Sequence, residues 1–173
     1  MPHIFCTSRL SSLIGKERFS KPIALDSVHK LDLWNADLFH VDKRKCILFT
    51  NKHTLFCVVR LNILKRDLVD LNSFFLRSLK SQLQAEGIFS NTDVRNWAET
   101  KSEVAYHPSD NDKKVIGSMN NLIFQVKSYF QFGGRTIESV TDNNMAANIN
   151  EVPMGLLRYK SANTCLMNFK NNA

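Results

Sequence analysis

The sequence predicts an α+β fold, an antiparallel β-meander packed against two long amphipathic helices, in a single globular domain over residues 1–173. Three observations carry this. Residues 36–61 hold three short runs rich in Phe, Val, Leu and Ile, separated by polar turns. Two later stretches repeat their apolar residues at helical spacing. Strand-like and helix-like segments also segregate along the chain, which favours α+β over a doubly wound sheet.

In chain order, His3–Cys6 reads as a short strand and Ser8–Gly15 as a helix, followed by a loop over Ser20–Lys30 that contains Pro22. The meander is expected over Ala36–Val41, Cys46–Thr50 and Leu55–Leu61, with DKRK and NKH as hairpin connections. Asp67 can cap the first long helix, with Asp70 three positions on, and Gly87 ends it; Leu68, Leu71, Phe75, Leu79 and Leu83 share its inner face. A short helix over Thr92–Glu99 and a strand at Val104–Tyr106 follow. Asn111 or Asp112 can cap the second long helix, ending at Gly133-Gly134, with Val115, Met119, Leu122, Ile123, Val126 and Phe130 inward. Leu156–Tyr159 and Cys165–Phe169 read as strands.

Composition sets the outer limits. Lys and Arg number 23 against 16 Asp and Glu, a formal net charge of +7, which favours contact with polyanions. No stretch approaches the apolar length of a membrane helix, and no apolar signal region is expected near the start. The expectation is a cytoplasmic protein with reduced cysteines and no membrane partner.

The segment CILFTNKHTLFCVV poses a local question. A two-residue turn at Asn51-Lys52 would pair Thr50 with His53, Ile47 with Phe56 and Cys46 with Cys57, setting the two cysteines directly opposite. A three-residue loop would break that register. Zinc would need two further ligands, and neither a C-x-x-C motif nor a suitably placed His is present. The thiols also lack a basic helix terminus that would activate a redox pair. Small buried hydrophobes is the reading the spacing supports. No cofactor and no metal site is expected.

Candidate binding residues are few. Lys43, Arg44 and Lys45 form the densest positive run, on a turn that suits either a phosphate contact or a solvated tip. Asn51 suits the left-handed backbone of a tight hairpin. Lys113 and Lys114 stand at a helix start, where free amides attract anions. Gly117 costs about 1 kcal/mol in a helix relative to alanine, so either a packed neighbour or a ligand near the backbone should compensate. Asn150 lies in NINEVPMG, a turn whose amides could bond backbone or a base edge. Catalytic candidates are His53, Ser118 and Asn120, if one cleft unites them. H-E-x-x-H, G-x-S-x-G, G-x-G-x-x-G and paired catalytic carboxylates are all missing.

Four segments, in order, carry a family resemblance: M-P-x-I-x-C-T with Leu10 and Leu13, DKRKCILFTNKHTLF, VIGSMNNLIFQ, and N-x-x-P-M-G. Together they resemble a bacterial family known as domain of unknown function 6933. Lys113-Lys114 stands where that family tends to carry Arg-Ser, and Asn121 where it tends to carry Asp. The resemblance implies a bacterial or phage-like cytosolic protein and brings no activity with it.

The leading functional expectation is therefore a basic cytosolic protein that associates with nucleic acid or nucleotide phosphates. A protein-interaction module, as a homodimer or with an operon-encoded partner, stands second, motivated by twelve phenylalanines. A metal-independent phosphodiester or nucleotide hydrolase stands third.

Overall fold

The computed structural model describes residues 1–90, 92–93 and 103–171. Five strands form one sheet: β1 His3–Cys6, β2 Leu33–Val41, β3 Arg44–Asn51, β4 Cys57–Arg60 and β5 Ala105–Pro108, in spatial order β4-β3-β2-β1-β5. The meander β2-β3-β4 is antiparallel as its short turns require. β1 pairs in parallel with both β2 and β5, so the sheet is mixed, and the purely antiparallel expectation is corrected. A parallel neighbour needs a crossover across a sheet face. Helix α1, Ser8–Ile14, lies in the first such connection, and α2, Leu71–Glu86, in the second.

The described residues hold five α-helices, two of them not expected from the sequence; α3 is Lys113–Phe132, α4 Asp142–Asn150 and α5 Ala162–Asn171. They cover both faces of the sheet. Helices α1, α2 and α5 pack over Ile4, Trp34, Ile47, Phe49 and Val58. Helices α3 and α4 pack over Phe39, Cys46, Leu48, Cys57 and Val59. The alternation Cys46, Ile47, Leu48, Phe49 thus sends successive side chains into two separate cores, which is why these strands read as unbroken apolar runs. Helices α2 and α3 lie on opposite faces of the sheet, each contributing to a separate core.

Local signals fixed most helix ends. Asp70 caps α2 by accepting from Ser73 N at 3.0 Å, while Asp67 serves a short 3-10 turn, Lys65–Leu68, before it. Asp112 caps α3, accepting from Lys114 N and Val115 N. All six inward residues expected on α3 are buried. The expected strand at Leu156–Tyr159 is a 3-10 turn, Gly155–Leu157, closed by a single bridge from Met154 to Lys160. The expected strand at Cys165–Phe169 is part of α5, whose Ala162 and Leu166 reach the core at helical spacing. The helix expected over Thr92–Glu99 lies outside the described residues beyond Asp93.

The β3–β4 register also differs from the two-residue turn. Thr50 pairs with Cys57 and Cys46 with Phe39, so the two cysteines are not partners. The connection is longer because Asn51 organises it: its Oδ1 accepts from His53 N, Thr54 N and Thr54 Oγ1, and its Nδ2 donates to carbonyls of Lys30, Leu31 and Leu33. The left-handed residue is Leu55, at φ 54°, not Asn51.

Helix α4 replaces a strand at the free edge of β4. Asn150 accepts from Cys57 N at 2.7 Å and donates to Cys57 O at 3.1 Å, the two bonds a neighbouring strand would make. Eight residues earlier, Asp142 accepts from Leu61 N at 2.8 Å. The helix rises about 12 Å between these side chains, and four strand residues advance about 13 Å. That match lets one helix satisfy both ends of the exposed edge, the region where unpaired strands recruit other chains.

Candidate nucleic-acid interface

Among the described residues, no group of three or more His, Cys, Asp or Glu could hold a metal ion. No described helix is long and apolar enough to cross a membrane. The search for a working surface therefore rests on exposed faces and cavities.

Helix α3 presents the most distinctive face. Its buried stripe leaves Lys113, Lys114, Gly117, Asn120, Asn121, Phe124, Lys127 and Gln131 exposed. Residues 117, 120, 121, 124, 127 and 131 recur at three- and four-residue steps and share one side of the cylinder. The helix contains no acidic residue over its 20 positions. Lysines stand at one end and three-quarters of the way along, amide side chains lie between, and Phe124 is 66% exposed.

The start of α3 is clamped to the sheet. The Lys52 ammonium pairs with Asp110, lies 3.6 Å from Asp112, and sits 5.0 Å above the ring of Phe5. Phe5 stacks on His107, which shares a 3.0 Å hydrogen bond with His3. These contacts fix the helix end that carries Lys113 and Lys114.

Each sequence candidate now has a place. Lys113 and Lys114 are exposed as expected, but the free amides anticipated at the helix start are taken by Asp112, so the helix end itself is not an open anion site. Gly117 is exposed, and a Cβ built there would meet nothing within 4 Å. No described strand or helix comes within 4 Å of that position, so a packed neighbour does not account for the glycine. Asn120 is exposed and Ser118 half-buried on the same helix. His53 is exposed on the β3–β4 loop; partial burial and the ammonium groups of Lys30 and Lys52 lower its pKa, against the opposing pull of Asp112. None of the four cavities characterised is lined by His53, Ser118 or Asn120.

Asn51 and Asn150 were binding candidates and are buried, at 1% and 0% exposure, with their amides engaged inside the protein. Neither presents a free amide to a ligand. Lys43, Arg44 and Lys45 are exposed on a two-residue turn whose residues Asp42 and Lys43 are both left-handed. Arg44 pairs with Glu138 at 2.5 Å. This turn lies at the far end of β3 from Lys52, about 23 Å away along the strand. The two basic groups singled out in the sequence do not form one patch.

Phe124 and Lys127 escaped the sequence reading because it followed the inward stripe of α3. The signal was present in the complementary positions, which never carry Asp or Glu.

The fold and this face define an α+β domain that displays an acid-free helix. The chain matches the family described as Domain of unknown function (DUF6933) over residues 3–164, and it belongs to that family. No curated protein matches it significantly.

Proposed function

We propose that the protein associates with nucleic acid through the outer face of α3, as a basic cytosolic binding protein. The observation that carries this reading is the acid-free exposed face with lysines at separated positions. Lys113, Lys114 and Lys127 would neutralise phosphates, which supplies most of the affinity and makes it salt-dependent. Asn120 and Asn121 offer donor and acceptor groups suited to base or sugar edges. Phe124 offers a flat apolar ring for an unstacked base. Gly117, with open space around it, lets a backbone come close to the helix.

The test is fluorescence anisotropy with duplex DNA, single-stranded DNA and RNA across a salt series. Binding should weaken steeply with salt. Replacing Lys113, Lys114 and Lys127 together by alanine should flatten the log–log slope by up to about 2.7 for B-form DNA, about 0.9 per lost phosphate contact. No binding at low salt, or a slope unchanged by the triple substitution, would remove the proposal.

A second reading has its own observation. Phe124 and Phe132 are 66% and 77% exposed on one helix, unusual for large apolar side chains unless a partner covers them. A protein-interaction module, forming a homodimer or binding an operon-encoded partner, would use the same face. Light scattering on the wild type and on Phe124→Lys separates the two: a dimer that this substitution dissociates supports the interaction reading.

A further inference from the structure

A cavity of about 300 Å³ opens between the sheet and helices α2 and α5, on the face opposite α3. Trp34 and Phe56 wall it from the sheet side, Leu79 and Leu83 from α2, and Leu166 from α5. Natural interiors are packed to crystal-like density and keep few voids larger than a water molecule. A pocket this large among large apolar side chains has the size and lining of a ligand site.

We propose that this cavity binds a small, uncharged aromatic molecule of one to two fused rings. Three features select that class. The first is size: a cavity of about half this volume, lined by comparable apolar side chains, accommodates a benzene ring. The second is shape and surface, because aromatic rings from Trp34, Phe56 and Phe89 contribute to the walls and favour stacked or edge contacts with another ring.

The third is charge. The polar side chains in the wall are already committed: Thr54 Oγ1 donates to Asn51 Oδ1 at 3.1 Å and accepts from Phe56 N at 3.2 Å. Asn51 Nδ2 is spent on main-chain carbonyls. At the rim, the Lys170 ammonium and the Asp93 carboxylate lie 3.5 Å apart and neutralise each other. A charged entrant finds both signs already paired there, and it gains a counter-ion only by breaking the Lys170–Asp93 pair. Burying either charge without a free partner is unfavourable. A neutral ring loses nothing at this rim and displaces water from apolar walls.

The test uses the full chain and indole as probe, with decanoate and phenylethylamine as charged comparators. Saturation-transfer NMR and calorimetry should detect indole binding, with intermolecular NOEs to the methyl groups of Leu79, Leu83 and Leu166. Leu83→Phe and Leu166→Phe fill the cavity from different helices, and each should weaken indole at least tenfold while circular dichroism stays native. The NOE measurement on the wild type decides the matter if both variants misfold. Absence of NOEs to those methyls at millimolar indole overturns the proposal. So does equal affinity in a folded filling variant, or tighter binding of either charged comparator.

Discussion

Asn150→Leu tests the view that α4 acts as a substitute strand. In the wild type the Asn150 amide bonds both Cys57 N and Cys57 O, and Nδ2 also donates to Glu86 Oε1 at 2.9 Å. Cys57 is fully buried, so water cannot replace the lost partners. Leaving a buried donor or acceptor unsatisfied costs about 1–3 kcal/mol each. Two such groups on Cys57 give a destabilisation of about 2–6 kcal/mol, a large fraction of the total stability of a domain this size. Leucine keeps the branching and heavy-atom count of asparagine but is bulkier, so it leaves no cavity and any overpacking adds to the loss. Equilibrium urea unfolding, followed by far-ultraviolet circular dichroism, measures the change through the midpoint at constant slope. Asn150→Asp is the informative companion, since it keeps an acceptor for Cys57 N but offers no donor to Cys57 O and sets a second carboxylate beside Glu86. A loss below about 1 kcal/mol for Asn150→Leu would refute the substitute-strand account, because edge bonds left unmade at a buried position cannot be that cheap.

Three further expectations follow, two from buried groups and one from an exposed glycine. Burial pushes the Cys6 and Cys57 thiols up to about 12 and raises Cys46, while Cys165 is half-buried. At pH 8 roughly one in ten thousand Cys6 or Cys57 side chains would be thiolate. Native protein should therefore label at Cys165 alone with a thiol reagent and at four cysteines in denaturant, as counted by mass spectrometry. Burial and the neighbouring His3 lower the pKa of His107 below its ordinary 6.5. Its neutral form is favoured in the fold, so its contribution is complete above pH 6.5 and is lost as pH falls below that value. Stability measured from pH 7 to 5 should decline, and His107→Gln should reduce the slope; an unchanged slope would discount the His3–His107 pair as its source. Finally, Gly117→Ala should raise stability by about 1 kcal/mol, because the added methyl meets open space and alanine favours the helix; thermal melting checks the sign.

Helices α1, α2 and α3 were legible because local chemistry and apolar spacing mark them, whereas α4 was not foreseen and α5 was expected as a strand. Gly87 and Asp112 could be read as caps from residue type alone, and the α3 stripe from Val115 to Phe130 emerged from spacing; the cap expected at Asp67 falls three residues later, at Asp70, because Asp67 serves the preceding 3-10 turn. Strand positions were legible too, since β-branched and aromatic residues cluster there. Their neighbours were not. A parallel partner is chosen by a crossover, and nothing in HIFC or AYHP names the strand beside it. Asn51 was noticed but misassigned, because a hairpin asparagine more often shapes its own backbone than bonds to a distant loop. Asn150 was noticed too, yet its partner Cys57 lies 93 positions away.

The candidate face divides in the same way. Lys113, Lys114, Gly117 and Asn120 were singled out from sequence, and their shared side follows from helical geometry. That no described part of the chain covers them, that Asp112 fills the helix start, and that Lys43–Lys45 lies at the opposite end of β3 came only with coordinates. By itself the sequence determined the five strands, helices α1 to α3 and their apolar faces, because those properties depend on neighbours within a few residues; over the last thirty residues it suggested strands where the fold has a 3-10 turn and α5, and it gave no sign of α4. Tertiary structure decided strand order, the two-sided core and the exposure of α3, because these depend on which distant surfaces meet, and hydrophobic attraction carries no address.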